Sequence, residues 1–247
     1  MKYFLITGAS AGIGRAIAEV FARNGHNLIV VARSESPLKS LKEELEAEYS
    51  VTVEVIPFDL TEPDAGHKLY ERCRQFELEG MINNAGFGDF SLAWDMDRGK
   101  ADAMLNLNVQ ALTQLSLDFL HDYQDTDATL INVASIGGYK MFPTAVTYCA
   151  TKFYVAAFTE GVAHDLRNEH KPMQAKVLAP AATRTEFFEK AYTNAGLESD
   201  DAGKREEYFP PEKLAVHTYE LYQSDKVVGY VSEEFNFELR EPMFEHI

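Results

Sequence analysis

Tyr148 and Lys152 stand four residues apart in the run Thr147-Tyr148-Cys149-Ala150-Thr151-Lys152-Phe153. On a helix that spacing stacks both side chains on one face. A lysine ammonium beside a phenol favours the phenolate and makes the tyrosine a better proton carrier near neutral pH. Ser135 lies thirteen residues upstream of Tyr148. A hydroxyl, a phenol and an amine form a set suited to handling a carbonyl oxygen. Such a Tyr/Lys pair also arises by chance on many helices, so it gains meaning only from its surroundings.

A second stretch points to a phosphate-bearing ligand. Thr7-Gly8-Ala9-Ser10-Ala11-Gly12-Ile13-Gly14 follows an apolar run and opens a helical pattern. Small residues let the backbone approach a pyrophosphate, and a helix N-terminus favours its charge. The spacing is G-x-x-x-G-x-G rather than G-x-G-x-x-G, and an ordinary glycine-rich turn has the same composition. Its place between the first strand and first helix favours a dinucleotide held by Gly8, Ser10, Gly12, Ile13 and Gly14. Many NAD-binding proteins close the second strand with an acid that bonds the ribose 2′-hydroxyl. Here Arg33 and Ser34 stand there. A guanidinium binds a 2′-phosphate that a carboxylate would repel, so NADP(H) is preferred over NAD(H). The plain alternative is an exposed surface arginine.

The elements needed to position these residues are legible as alternating patterns. Strands are expected over 2–7, 27–32, 51–58, 80–83, 128–133, 174–178 and within 227–237. Helices are expected over 13–24, 37–49, 63–76, 99–123, 146–168 and 211–223. Alternation of this kind builds a parallel sheet covered on both faces, an α/β fold. The 247 residues and 46% hydrophobic content suffice for one domain over 1–247, with a substrate loop at about 185–210. A net charge of −16 argues against nucleic acid. Two cysteines supply no disulfide framework and no spaced metal-ligand set. No stretch reads as a signal or a membrane span, which fits a cytoplasmic protein.

Over nearly its whole length the chain resembles the short-chain dehydrogenase/reductase superfamily. The resemblance is carried by Thr7-Gly8-x-x-x-Gly12-x-Gly14, Asp59-Leu60, Asn83-Asn84-Ala85-Gly86, Asn108, Ser135 and Tyr148-x-x-x-Lys152, in that order. It implies a Rossmann-type, doubly wound parallel seven-stranded sheet with helices on both faces. It also implies NAD(P)-dependent hydride transfer between alcohols and carbonyls, with a small-molecule carbonyl or alcohol as substrate. The implied catalytic set is Asn108, Ser135, Tyr148 and Lys152. Asp59 and Leu60 would meet the adenine, and Asn84, Ala85 and Gly86 the cofactor ribose. Pro180, Thr183 and Thr185 would border the nicotinamide, and Lys152 would bond its ribose. Asn108 would hold a water linking Lys152 to solvent.

Each residue has a bland alternative. Asp59 could cap the next helix, Asn108 could face solvent with Asn106 as a decoy, and Ser135 could cap a loop. The same fold could also serve as a non-catalytic NADP(H) sensor. Two departures stand out. Pro180-Ala181 replaces the usual Pro-Gly, and Val227-Val228-Gly229-Tyr230 replaces a Val-Asp-Gly-Gly-like strand of tetrameric members. A homodimer through the helices carrying Asn108 and Tyr148 is therefore expected, with the tetramer left open. Phe87, 136–142 and 187–192 would line the substrate pocket. Phe142, Phe187, Phe188 and Tyr192 suggest that it is apolar.

Overall fold

The computed structural model describes residues 1–183, 185, 187, 191 and 208–246. Its central feature is one eight-stranded sheet of order β3-β2-β1-β4-β5-β6-β7-β8. The strands are β1 (Lys2–Thr7), β2 (Asn27–Ala32), β3 (Val53–Pro57), β4 (Glu77–Asn83), β5 (Thr129–Val133), β6 (Gln174–Ala179), β7 (Val228–Val231) and β8 (Phe237–Arg240). All pairings are parallel except that of β7 with β8. Phe4, Leu5 and Ile6 of β1 and Leu28 to Val31 of β2 are fully buried. Continuous apolar runs of this kind are what a sheet covered on both faces requires.

The helices form two groups. α1 (Gly12–Arg23) packs on α2 (Glu35–Glu48) and on α7 (Pro211–Gln223). α1 buries Ile17, Val20 and Phe21, and α2 buries Leu38, Leu41 and Leu45, both at helical spacing. On the other side, α3 (Ala65–Cys73) packs on α5 (Leu112–Tyr123), and α4 (Arg98–Leu105) packs on α6 (Val146–Asn168).

Two expectations need correction. The sheet has eight strands, not seven. The strand expected within 227–237 is β7, but the chain then turns back at Ser232–Asn236, with Phe235 at φ 61°, and β8 pairs antiparallel to β7. β8 is half-exposed along its length and carries Glu238 and Arg240, so its apolar pattern is too weak to read. The helix expected over 99–123 is also not uniform. A π-helical segment, Asn106–Ala111, separates α4 from α5. Such widened turns favour functional positions, and Asn108 sits inside this one.

Strand order locates the binding crevice. From β1 the chain winds outward through β2 and β3, then returns to β4 on the other side of β1. The connections after β1 and β4 therefore leave in opposite directions and open a cleft at the C-terminal strand ends.

The π segment is held from behind by α3. A Cβ on Gly66 would stand 2.4 Å from the Ala111 carbonyl oxygen. Gly66→Ala should therefore destabilise the protein by about 1–3 kcal/mol. Urea unfolding of the two proteins measures this, and an unchanged midpoint would refute the close approach.

Candidate functional site

The glycine loop lies where the topology opens. Gly8 and Gly12 have φ of 69° and 55°, which side chains rarely adopt. A Cβ on Gly8 would stand 2.8 Å from Asn84 Nδ2 and 2.9 Å from the Ala85 Cα. One on Gly14 would stand 2.3 Å from the Gly8 carbonyl oxygen. The buried Thr7 hydroxyl joins this loop to the exit of β4, accepting the N–H groups of Asn84 and Ala85 at 3.0 Å each. Asn84 Nδ2 donates back to the carbonyls of Thr7 and Gly8, at 3.0 and 3.3 Å. α1 begins at Ala11 with no side-chain cap and no acid in its first turn. Its N-terminus thus has the electrostatics a phosphate needs.

These residues border a cavity of about 640 Å³. Gly8, Gly12, Ile13 and Arg33 form one end of its wall, and Asn84, Ala85 and Gly86 continue it. Ser135, Tyr148 and Lys152 join from β5 and α6, with Pro180, Thr183 and Thr185 opposite. Ser10, Gly14, Asp59, Leu60 and Asn108 are not among the described lining residues. Gly14 acts behind the loop, through its close approach to Gly8. Leu60 is buried. Asp59 accepts the Thr61 N–H and hydroxyl at 2.9 and 2.7 Å. Partial burial raises its carboxyl, but those bonds and the Arg33 charge bring it below its ordinary value.

Tyr148 and Lys152 face the cavity from one side of α6. Ser135 is extended at the end of β5, and its Oγ accepts the Gly137 N–H at 3.0 Å to start a short turn, Ile136–Gly138. The same hydroxyl stands near enough to the Tyr148 phenol to lower its proton affinity. Lys152 Nζ donates to the Val133 carbonyl at 2.8 Å and lies 5.9 Å from the Tyr148 ring centre. Asn108 is fully buried. Its Nδ2 donates to Phe87 O and Thr151 Oγ1, at 2.9 and 3.1 Å, and its Oδ1 accepts the Phe87 N–H at 3.1 Å. Asn106, the competing amide, donates to Thr61 O instead.

The electrostatics differ from the simple pair argument. Burial pushes the Tyr148 phenol up to about 12, and the nearby Ser135 hydroxyl only partly offsets this. Burial pushes the Lys152 amine down to about 8. The ammonium points at Val133 rather than at the phenolic oxygen, so burial, not the lysine, sets the tyrosine here.

Ala181 needs no glycine-like conformation, since it is absent from the residues of positive φ. Thr144, on the cavity wall, does adopt one at φ 61°. Phe90, Gly88 and Tyr208 also line the cavity and went unread. Phe90 and Phe187 flank the Tyr148 ring at 6.1 and 5.5 Å. A Cβ on Gly88 would meet Phe187 Cζ at 2.8 Å, so that glycine makes room for the ring. Nothing in its spacing marks it. Phe142 and Phe87 line the cavity as expected, whereas Phe188 and Tyr192 lie outside the described residues. Among the described residues, no His, Cys, Asp and Glu cluster could hold a metal, and no helix is long and apolar enough to cross a membrane.

Strand order, crevice and side-chain set define a dinucleotide-fold oxidoreductase. Residues 2–196 match the family model for short chain dehydrogenases, and the chain belongs to that family. A 7beta-hydroxysteroid dehydrogenase of Mediterraneibacter gnavus is 29% identical over 183 residues, 74% of this chain and 70% of that one. An NADP-dependent 3-hydroxy acid dehydrogenase of Schizosaccharomyces pombe is 29% identical over 237 residues, 92% and 89% of the two chains. Among solved structures, a short-chain dehydrogenase from Sphingobium yanoikuyae in complex with NADPH superposes with a TM-score of 0.81. It is 29% identical, over 92% of this chain and 86% of that one. A bulky-bulky ketone specific alcohol dehydrogenase from Comamonas testosteroni has a TM-score of 0.78 at 28% identity, covering 92% and 85%.

The depressed Lys152 amine links stability to pH. Its value falls from an ordinary 10.5 to about 8, so the unfolded chain holds more protons between those limits. The burial cost is complete below pH 8 and fades as pH rises through that window. Lys152→Met should therefore stabilise the protein at pH 7 by about 1–3 kcal/mol, after allowing for the lost bond to Val133. The gap to wild type should close towards pH 10.5. Urea melts at both pH values test this, and a gap independent of pH contradicts it.

Proposed function

We propose that the protein is an NADP(H)-dependent carbonyl reductase, working as an alcohol dehydrogenase in reverse. The observation that carries this reading is the convergence of the Ser135 hydroxyl, the Tyr148 phenol and the Lys152 amine on one cavity whose far end holds Arg33. NADPH, when bound, supplies the hydride to a ketone or aldehyde carbon. Tyr148, a phenol protonated at neutral pH whose burial holds the proton more tightly still, would donate that proton to the oxygen that becomes the alkoxide. Ser135, which shares the cavity wall with the phenol, would hold that oxygen beside it. Lys152 would bond the nicotinamide ribose hydroxyls and stabilise the tyrosinate left behind. Asn108 fixes Phe87 and Thr151 on either side of this group. The widened turn around Asn108 is where a water would link Lys152 to solvent.

Gly8, Gly12 and the α1 N-terminus would take the pyrophosphate. Arg33 is exposed at the cavity's end and would take the 2′-phosphate, with no acid on the last residue of β2 to oppose it. Phe87, Phe90, Phe142 and Phe187 surround the Tyr148 end, and the cations among the described lining residues are Arg33 and Lys152. A neutral, apolar ketone suits that wall better than a carboxylate, in keeping with the bulky ketones and hydroxysteroids named for two relatives. The chain would act as a single domain. It would pair into a homodimer through α5 and α6, where Leu117 and Tyr154 are exposed. Buried free cysteines suit a cytoplasmic setting.

Two substitutions test the assignment. Tyr148→Phe should keep NADPH affinity, read by quenching of Trp94, while turnover falls by ~10²–10⁴-fold. Full activity in that variant would remove Tyr148 as the acid. Arg33→Asp should move the preference from NADPH to NADH, followed on a panel of ketones and aldehydes with both cofactors. A preference that stays with NADPH would refute the 2′-phosphate argument. A panel without any turnover would refute the enzyme reading as a whole.

A further inference from the structure

The proposed chemistry leaves one buried acid of α6 without a role. Glu160 is fully buried, and among the described residues no cation pairs with it. Tyr148, Lys152, Ala156 and Glu160 recur every fourth residue and so form one stripe down the helix. The turn that follows Ser135 lies along that stripe. At its top, Ser135 and Tyr148 border the same cavity, with the hydroxyl near enough to lower the phenol's proton affinity. In its middle, a Cβ on Gly138 would stand 2.5 Å from the Lys152 carbonyl oxygen and 3.4 Å from the Ala156 Cβ. At its lower end, the Tyr139 phenol donates to Glu160 Oε1 at 2.5 Å.

The other carboxylate oxygen binds the end of the chain. Glu160 Oε2 accepts the N–H groups of Met243 and Phe244 at 2.6 and 2.9 Å. Two successive N–H groups converging on one anion form a backbone nest. The Phe244 ring stacks on Tyr139 at 5.4 Å, and Lys140 pairs with Glu233 at 2.9 Å. A buried carboxylate is costly unless hydrogen-bonded. The donors here come from two segments a hundred residues apart, so the charge is satisfied only while both are docked. Burial, then the hydrogen bond to Glu160 and its charge, push the Tyr139 phenol well above its ordinary value, so it remains a donor.

The geometry points to Glu160 as a positioning residue: it latches the segment 241–246 to the Ser135 turn and thereby fixes where the Ser135 hydroxyl stands against Tyr148. This rests on the carbonyl-reductase reading for its catalytic consequence, but not for the latch itself. Glu160 touches no reacting atom and works through Tyr139 and the turn.

The test compares wild type with Tyr139→Phe, Glu160→Gln, Glu160→Ala and a chain ending at Arg240. Hydrogen–deuterium exchange of the cofactor-free proteins reads the latch directly. Releasing the tail or removing the phenol should speed exchange of the Gly137 to Lys140 amides at least about tenfold, with β1 and β2 unchanged. On a ketone that wild type reduces, the same variants should raise substrate KM and lower kcat while NADPH affinity stays within about twofold. Glu160→Gln, which keeps an acceptor, should recover part of what Glu160→Ala loses. Exchange at 137–140 that ignores the tail would overturn the latch. So would faster exchange spread evenly over the molecule, with KM unmoved, because that reports lost stability alone. If Glu160→Ala does not fold, Tyr139→Phe and the shortened chain carry the comparison. Absence of turnover in wild type would sink the enzyme reading and leave the exchange result standing.

Discussion

The hydroxyl of Thr7 holds the molecule's two halves at a common level. It is fully buried at the end of β1 and takes two backbone N–H groups from the exit of β4. Parallel strands at a switch point diverge, and their last amides have no ladder partner on the next residue. One side-chain oxygen satisfies two of them. The glycine loop, the Asn84–Gly86 stretch and hence the floor beneath Lys152 all inherit their heights from that contact. A Cβ on Gly86 would meet Asn108 Oδ1 at 3.1 Å and Lys152 Nζ at 3.5 Å. The crevice is therefore packed to contact distance from β1 through to α6.

Burial governs the reactive groups more than pairing does. Tyr148 and Lys152 are both nearly closed off from solvent, and their proton affinities move in opposite directions for that one reason. Desolvation disfavours whichever form carries charge. The phenol keeps its proton and the amine holds its own less firmly. Nearly matched in water, the two groups are driven apart in proton affinity, so both their neutral forms are favoured by the same burial.

Much of this was readable in the residues. The alternation of apolar runs with helical periodicity gave the α/β class, and six of the expected strands recur as β1 to β6. The bounds of the helix carrying Tyr148 and Lys152 matched at 146–168. The glycine loop, Arg33, Ser135 and the Tyr/Lys pair fall on one cavity because local motifs encode local turns. What escaped was set by packing between distant segments. The π turn at Asn108 depends on Phe87, Thr151 and Gly66, none of them a sequence neighbour. Gly88 matters only because Phe187 lies against it. The eighth strand is half-exposed throughout and has no apolar run, and Glu160 contacts the Met243 amide more than eighty positions away.

The antiparallel β8 also closes one edge of the sheet. An uncovered edge strand is a template for another chain's backbone. On this flank the position beside β7 is filled by the chain itself. The strand filling it is four residues long and carries Glu238 and Arg240. Such a short, charged rim resists end-to-end stacking of sheets into fibrils. On this flank, backbone ladders are closed to another chain, and any contact there is made by side chains.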